Sequence, residues 1–344
     1  MKQMLNTLYV TIQGSYVHLD NETVRIESEG RTLQRVPLHH LGSIVIFGNV
    51  LISPQLMAKC AEDGRGITIL DRNGKFACRM EGPVSGNILL RKAQCDAHRS
   101  ETFSLHIAQA IVAGKIRNAR ILLLRSAREN ENIEEAHALK KKAAHLAAML
   151  KRLERAQNLP EVRGIEGEAA QHYFNVFELM VKAPLRKHFG LDTRNRRPPR
   201  DRINALLSFL YTLLLHDCVS ALEGVGLDPR EGFLHVICPG RPALGLDLME
   251  EFRAPVADRL ALALVNRRQI GEKDFHETPG GAVLLNDKGR KTVIVAYQKR
   301  KQESIAHPLF KEKVENGLLP HIQARLLARH LRGDLAFYKP MIFR

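Results

Sequence analysis

Cysteine is scarce in this chain of 344 residues: Cys60, Cys78, Cys95, Cys218 and Cys238 are odd in number, widely spaced and form no C-x-x-C pair. That excludes a disulfide framework and points to a reducing compartment, the cytoplasm being the expected one. Long hydrophobic runs are missing as well. The most apolar stretch, 205–215, is interrupted by Ser208, Tyr211 and Thr212 and is too short to span a bilayer. The opening MKQMLNTLYVTIQG has no apolar signal-peptide core, so no membrane association is expected. Nor does the sequence contain a G-x-x-x-x-G-K-[ST] phosphate loop, an internal repeat or a low-complexity segment. Negative charge is the remaining deficit. Aspartate and glutamate total 37 against 52 lysines and arginines, a net charge of +15, and the excess is uneven: residues 1–90 sum to +1 and residues 91–344 to +14. Such a surface suits a polyanion, and nucleic-acid contact is expected in the second part.

The hydrophobic period changes along the chain. From Thr7 to about Arg79, short alternating or β-branched runs at 8–12, 16–19, 23–28, 43–47, 67–70 and 76–80 predict strands. Asp20-Asn21 and Asn73-Gly74 are the clearest turns between them. Residues 53–64 predict one short helix, with Ser53 as N-cap, Pro54 in the first turn and Gly64 at the stop. After the loop EGPVSGN at 81–87 the period becomes helical. Leu105, Ala108 and Val112 share a face, as do Ile121, Leu122 and Arg125, and Leu139, Ala143, Leu146, Met149 and Leu150 continue the pattern. Further helices are predicted near 165–188, 200–222, 247–264 and 318–332, with a hairpin joining 282–286 to 291–297 through Asp287-Lys288-Gly289. The expected fold is α+β with two domains: a small N-terminal β-sheet domain over 1–85 and a mainly α-helical domain over 86–344.

Chemistry concentrates in the second part. Residues 211–260 sum to −4 inside a region of +14, so carboxylates gather where the rest of the surface is basic. Within them, His235 lies in an apolar frame between glycines and prolines, and LDLMEEFR places Asp247 and Glu250 three apart on one helical face, with Glu251 turned away. Glu166, in RGIEGEAAQHYF, has small neighbours, Gly164, Gly167, Ala169 and Ala170, that let a metal, a phosphate or another helix approach. Each feature also has a plainer reading: an acidic helix start favoured by the macrodipole, and a histidine satisfied in the core. Taken together, a histidine and carboxylates suit a divalent cation, Mg2+ or Mn2+, whose charge would offset theirs.

The segments GIEGEAAQHYF, GLDPREGFLHV, GRPALGLDLMEEFR and QARLLARHLRGDLAFY, with LGSIVIFGNVLISPQLMAKCAEDGRGITILDRNGKF before them, resemble the CRISPR-associated protein one family over nearly the whole chain. This family is the adaptation integrase of prokaryotic antiviral defence; the C-terminal motifs are similar to those of type I systems, subtype one-C. The resemblance implies that Glu166, His235 and Glu250 are catalytic and hold Mg2+ or Mn2+, Glu250 standing where some members have Asp. Asp247 matches a supporting or DNA-proximal acidic position. The implied activity is that of a metal-dependent endonuclease and integrase. A 3′-hydroxyl of a short DNA fragment attacks a phosphodiester at the edge of a repeat, inserting a spacer. The implied partners are double-stranded DNA, as spacer precursor and repeat array, CRISPR-associated protein two, and a second copy of the chain joined through the β-rich domain 1–85.

Two basic clusters are the expected DNA contacts. Lys182, Arg186, Lys187, Arg194, Arg196, Arg197 and Arg200 give residues 181–200 a net charge of +6, with Pro198 and Pro199 holding a loop. Lys299, Arg300 and Lys301 follow the expected hairpin. The plainer reading of such runs is a solvated face. Tyr173, beyond Glu166 on its helix, stands either to stack on a base or to pack. Two other functions fit the same residues: a DNA-binding scaffold without chemistry, and a stand-alone metal-dependent nuclease. A transposon-borne relative is disfavoured because the sequence stops about ten residues after HLRGD, where an added DNA-binding domain is expected.

Overall fold

The computed structural model describes residues 6–72, 76–80, 82, 88–191, 193–195 and 198–343. The Asn73-Gly74 turn, most of the 81–87 loop, Arg196 and Arg197 lie outside the described residues. The chain forms two units, Met1–Gly86 and Asn87–Arg344.

The first unit is built from two four-stranded sheets. One has the order β1 (Asn6–Val10), β5 (Leu41–Phe47), β7 (Gly66–Leu70), β8 (Phe76–Met80); the other runs β4 (Arg31–Pro37), β3 (Thr23–Ser28), β2 (Tyr16–Asp20), β6 (Leu51–Ile52). Strand β5 lies parallel to both neighbours. Its residues 43–47 are buried without a break, which is why SIVIF is apolar rather than alternating. Helix α1 (Pro54–Glu62) starts where expected, Ser53 Oγ accepting the Leu56 N–H. Leu56 and Cys60 from α1 join Val17, Ile26, Ile44 and Ile67 in one core. Two strands escape the sequence pattern. β4 is mostly exposed and so shows no apolar alternation, and it is joined to β3 by Glu29-Gly30, both in the left-handed region at φ 50 and 74; β6 is only two residues long.

The second unit is mostly helical. Helices α2 (Ile88–Arg99), α3 (Glu101–Glu129), α4 (Ile133–Leu153) and α5 (Leu159–Phe174) come first, with α4 and α5 packed along α3. The helix expected over 165–188 is broken. α5 ends at Phe174, one 3-10 turn covers Phe177–Met180, and α6 (Ala183–Phe189) restarts after Lys182 with Pro184 in its first turn. Helix α7 (Arg202–Val225), stopped by Gly226 at φ 92, is the apolar centre of the unit. By length and composition it is long enough to cross a bilayer, which the shorter run 205–215 did not suggest, and 67% of its apolar window is buried inside the fold. α8 (Ala243–Met249) runs into a π-helical turn over Arg253–Asp258 and then α9 (Arg259–Asn266). Pro255, which has no N–H to give the α-helical ladder, sits in that turn.

The predicted hairpin near 282–297 is not formed. β10 (Val283–Leu285) pairs antiparallel with β9 (Phe275–Glu277), and α10 (Asp287–Gln302) begins at the supposed turn. Asn286 Oδ1 accepts the Gly289 N–H at 2.9 Å as an N-cap, and a Cβ at Gly289 would meet Asp274 O at 2.5 Å, so glycine lets this first turn lie on the strand connection. The β-branched residues of KTVIVAY suggested a strand, yet Val293, Ile294 and Tyr297 are buried at helical spacing. After α10 come the short antiparallel pair β11 (Ser304–Ala306) and β12 (Lys313–Glu315), then α11 (Leu319–Leu331) against α7. Asn286→Ala should lower the unfolding free energy by about 1 kcal/mol without altering the fold, read from the urea midpoint. An unchanged midpoint would show that the cap does not hold α10.

Candidate active site

His235 belongs to the loop between α7 and α8, and Asp247 shapes that loop. The Asp247 carboxylate, fully buried, accepts the backbone N–H groups of Phe233 (2.6 Å), Leu234 (3.0 Å) and His235 (2.9 Å) as well as His235 Nδ1 (2.6 Å). A carboxylate only accepts, so His235 Nδ1 carries a proton, and Nε2 is the ring nitrogen that faces Glu250. Gly232 is required here: a Cβ would stand 2.8 Å from Asp247 Oδ2 and from the Ala243 backbone. Two residues of α2 grip the same loop, Gln94 bonding Asp228 and Glu231 carbonyls and His98 Nδ1 the Gly232 carbonyl. From α5, Arg163 Nε donates to Leu234 O at 2.6 Å, tying the helix of Glu166 to the residue before His235.

Glu250, at the end of α8, is 2% exposed and faces three basic groups. Arg253 Nη2 lies 2.8 Å from Oε1, His235 Nε2 3.8 Å from Oε1, and Lys115 Nζ 2.7 Å from Oε2. The Lys115 approach lacks hydrogen-bond geometry, so Glu250 Oε2 remains a buried oxygen without a hydrogen bond. Burial pushes the carboxyl up, but Arg253, Lys115 and His235 outweigh it and hold it at about 2. Lys115 also contacts Glu166 Oε1 directly. One ammonium thus joins carboxylates that are distant in sequence, with His235 alongside. On the outer face of α5, a Cβ at Gly164 or Gly167 would meet nothing within 4 Å, so these glycines leave open room beside Glu166 rather than admit a packed helix.

The side chains expected in the site therefore converge, yet among the described residues no three His, Cys, Asp or Glu stand at metal-coordinating spacing. The reason is visible: an ammonium occupies the space between Glu166 and Glu250. The donor set itself fits a divalent cation, with one imidazole nitrogen and two carboxylates, one of which, Glu250, has a buried oxygen without a hydrogen bond. Sequence reasoning missed Lys115 and Arg253. Lys115, in α3, carried no motif signal; Arg253 stands i+3 from Glu250 and was open to detection. Glu251, turned away as expected, is buried and anchors the C-terminal segment through Gln323, the Met341 N–H and Tyr338. Burial raises its carboxyl to about 7 against those three bonds.

Several expected contact residues turn out to hold the fold. Tyr173 is buried and donates to Asp258 Oδ2 at 2.9 Å, so it packs and does not stack on a base. Arg186 makes a two-pronged bridge to Glu135 at 2.6 Å per arm, from a helix rather than a loop. Arg194 bonds Asn204 and lies 5.3 Å over Tyr211, whose other side takes Arg253 at 5.1 Å. Lys301 is buried on Asp217 at 2.9 Å, and Arg300 pairs with Glu303. Lys299 lies in the last turn of α10, not after a hairpin. Lys182, Lys187, Arg200 and Lys299 are exposed.

The family model described as CRISPR associated protein Cas1 matches residues 8–299. A CRISPR-associated endonuclease Cas1 of Moorella thermoacetica is 56% identical over 344 residues, covering all of both chains. Among solved structures, a CAS1 protein from Thermotoga maritima superposes with a TM-score of 0.82 at 26% identity, over 95% of this chain and 97% of that one. A casposase bound to integration product shares the fold, with a TM-score of 0.83 at 22% identity over 97% of this chain and 93% of that one.

Asp247→Ala should lower folding stability by about 3 kcal/mol or more, because three backbone donors lose their acceptor, whereas His235→Ala should cost much less; denaturant titration of both variants checks the ranking. A pH prediction comes from Asp258, which burial raises from the usual 3.8 to about 6 against hydrogen bonds from Tyr211 and Tyr173 and the charges of Arg194 and Arg253. The folded state holds this proton more readily than the unfolded chain, so the stabilisation is full below about pH 3.8 and is lost as pH rises through about 6. Glu251 contributes in the same direction. The difference between the melting profiles of Asp258→Asn and the native chain should therefore slope across this window, and parallel profiles would refute it.

Proposed function

The chain belongs to the CRISPR-associated Cas1 family, and from that premise we propose that it is a divalent-metal-dependent DNA integrase that inserts short fragments into a repeat array. The observation that carries this reading is the meeting of Glu166 and Glu250 at a single cationic group, Lys115, with His235 Nε2 3.8 Å from Glu250. When bound, Mg2+ or Mn2+ lowers the pKa of an attacking hydroxyl and offsets charge on the phosphoryl oxygens. Glu166 and Glu250 are the carboxylate ligands and His235 Nε2 the nitrogen ligand, while Asp247 fixes the imidazole. Lys115 is a tethered counter-ion to these two carboxylates, and a bound cation would take over that role; a cavity of about 40 Å3 lined by Lys115, Tyr173, Tyr211 and Asp258 lies beside it. The name endonuclease carried by the relatives favours hydrolysis as the second reading, with water in place of the 3′-hydroxyl at the same site.

The DNA substrate is held by exposed cations, of which Lys182, Lys187, Arg200 and Lys299 remain from the two sequence clusters. Residues 1–85 supply a homodimer. Tyr16 and Leu51, register partners on β2 and β6, are 39% and 64% exposed and form an apolar strip there. Two such dimers bridged by CRISPR-associated protein two would present two sites to the two ends of one fragment, since two separated attacks need two equivalent sites.

Glu166→Ala and His235→Ala should abolish strand transfer into a repeat-bearing plasmid while DNA affinity falls only slightly, because affinity comes from phosphate contacts. Cleavage without joining by the native chain would favour the nuclease, DNA binding with neither reaction would leave a scaffold, and strand transfer retained by the variants would remove Glu166 and His235 from the site. Lys115→Ala should tighten Mn2+ binding by roughly tenfold in calorimetry, about 1.4 kcal/mol; weaker binding would make Lys115 a support of the site rather than its counter-ion. Leu51→Glu should yield monomers by light scattering.

A further inference from the structure

A second cavity, of about 450 Å3, opens between α3, the π-helical turn and Phe343, and shares no residue with the Glu166, His235 and Glu250 cluster. Its floor is apolar, with Leu122, Pro255 and Phe343, and its walls carry Arg125, Arg128 and Arg259. Arg300 stands at the same corner, donating to Pro255 O at 3.3 Å. Four guanidinium groups therefore meet here. The nearby carboxylates are already engaged: Glu129 with Arg125 at 2.8 Å and Glu303 with Arg300. Arg259 is half-buried and makes no hydrogen bond or ion pair among the described residues. Burial, together with the charges of Arg300 and Arg125, pulls it down to about 10, and Glu303 and Glu129, each already paired with another arginine, offset this only in part.

Like charges crowded into a partly dry concavity destabilise a fold unless something of opposite sign completes them. The guanidinium fork matches the oxygens of a phosphate, and the apolar floor suits the sugar or base beside it. We propose that this cavity is a binding site for a phosphate ester of the nucleotide class, with Arg259 as its central ligand and Arg125 and Arg128 at its mouth. It goes beyond the integrase reading, because it assigns a ligand to a face of α3 that the carboxylate and histidine cluster does not use. The volume is within the range of small-molecule sites, roughly 300–1,000 Å3. A strand of DNA and a free phosphate compound present the same chemistry, and the probes below separate them.

The test compares the full native chain with Arg259→Gln, Arg128→Gln and, as a control on an exposed arginine elsewhere, Arg99→Gln. Inorganic pyrophosphate and a fluorescein-labelled twelve-nucleotide oligothymidylate serve as probes, read by melting temperature and by anisotropy across salt concentrations. Arg259→Gln should melt higher than the native chain without ligand, since it relieves the crowding, and should lose the stabilisation that pyrophosphate gives. Its affinity for the oligonucleotide should fall by roughly tenfold, the scale of a lost charge-assisted hydrogen bond, with a salt slope shallower by about one. Arg128→Gln should show a smaller loss and Arg99→Gln none. Loss for both probes assigns the site to a strand, and loss for pyrophosphate alone assigns it to a free phosphate compound. Unchanged binding of both probes in Arg259→Gln, or a lower melting temperature without ligand, overturns the proposal.

Discussion

The carboxylate of Glu250 is buried to 2% exposure, and the candidate site in the helical unit is arranged around that one charge. An isolated carboxylate in such a place would neutralise itself by taking a proton. Here Arg253 from the next turn, Lys115 from α3 and His235 from the preceding loop keep it ionised. Each of those groups needs support of its own. Arg253 lies against the Tyr211 ring, and Tyr211 with Tyr173 is bonded to Asp258, while His235 is fixed by Asp247. Lys115 in turn reaches Glu166, so the same charge balance that permits burial also gathers the site.

Neighbouring acids in LDLMEEFR divide this labour by the direction in which they point. Asp247 folds the loop, Glu250 faces the site, and Glu251 binds the C-terminal segment through Gln323 and Tyr338. The motif QARLLARHLRGDLAFY is accordingly structural in large part, since two of its residues are partners of Glu251. The π-helical turn over Arg253–Asp258 belongs to the same economy of space: one irregular turn presents Arg253 to Glu250, Asp258 to two phenols, and Pro255 and Arg259 to the arginine-lined cavity.

Basic residues follow a rule that composition does not reveal. An arginine can serve a phosphate only if no carboxylate of its own protein has taken it. Arg186 on Glu135, Arg194 beside Asn204 and Tyr211, and Lys301 on Asp217 are committed internally. Lys182, Lys187, Arg200 and Lys299 extend from the surface, and Arg259 shares its cavity with Glu129, which is paired with Arg125. Net charge thus overstates the surface offered to an anion, and the distribution of acidic partners decides which cations remain.

By itself the sequence determined the two-part plan, most strands of the first unit and the main helices, because these rest on local signals, period, caps and turns; Glu166, His235 and Glu250 were named as candidates through their motifs. Ser53, Gly226 and the run SIVIF act within a few residues of themselves. The mostly exposed strand β4 was illegible because it lacks a buried face, and α10 was misread because β-branched residues fit either element until Asn286 and Gly289 are placed against β9. Only tertiary structure decided that Lys115 stands between two carboxylates, that Tyr173 is sealed against Asp258, and that Lys301 is buried on Asp217. Those facts depend on pairs 51, 85 and 84 residues apart. Side-chain charge is written in the sequence, but its partner is chosen by packing, and it is the partner that sets whether a charge holds the fold, a cation or a phosphate.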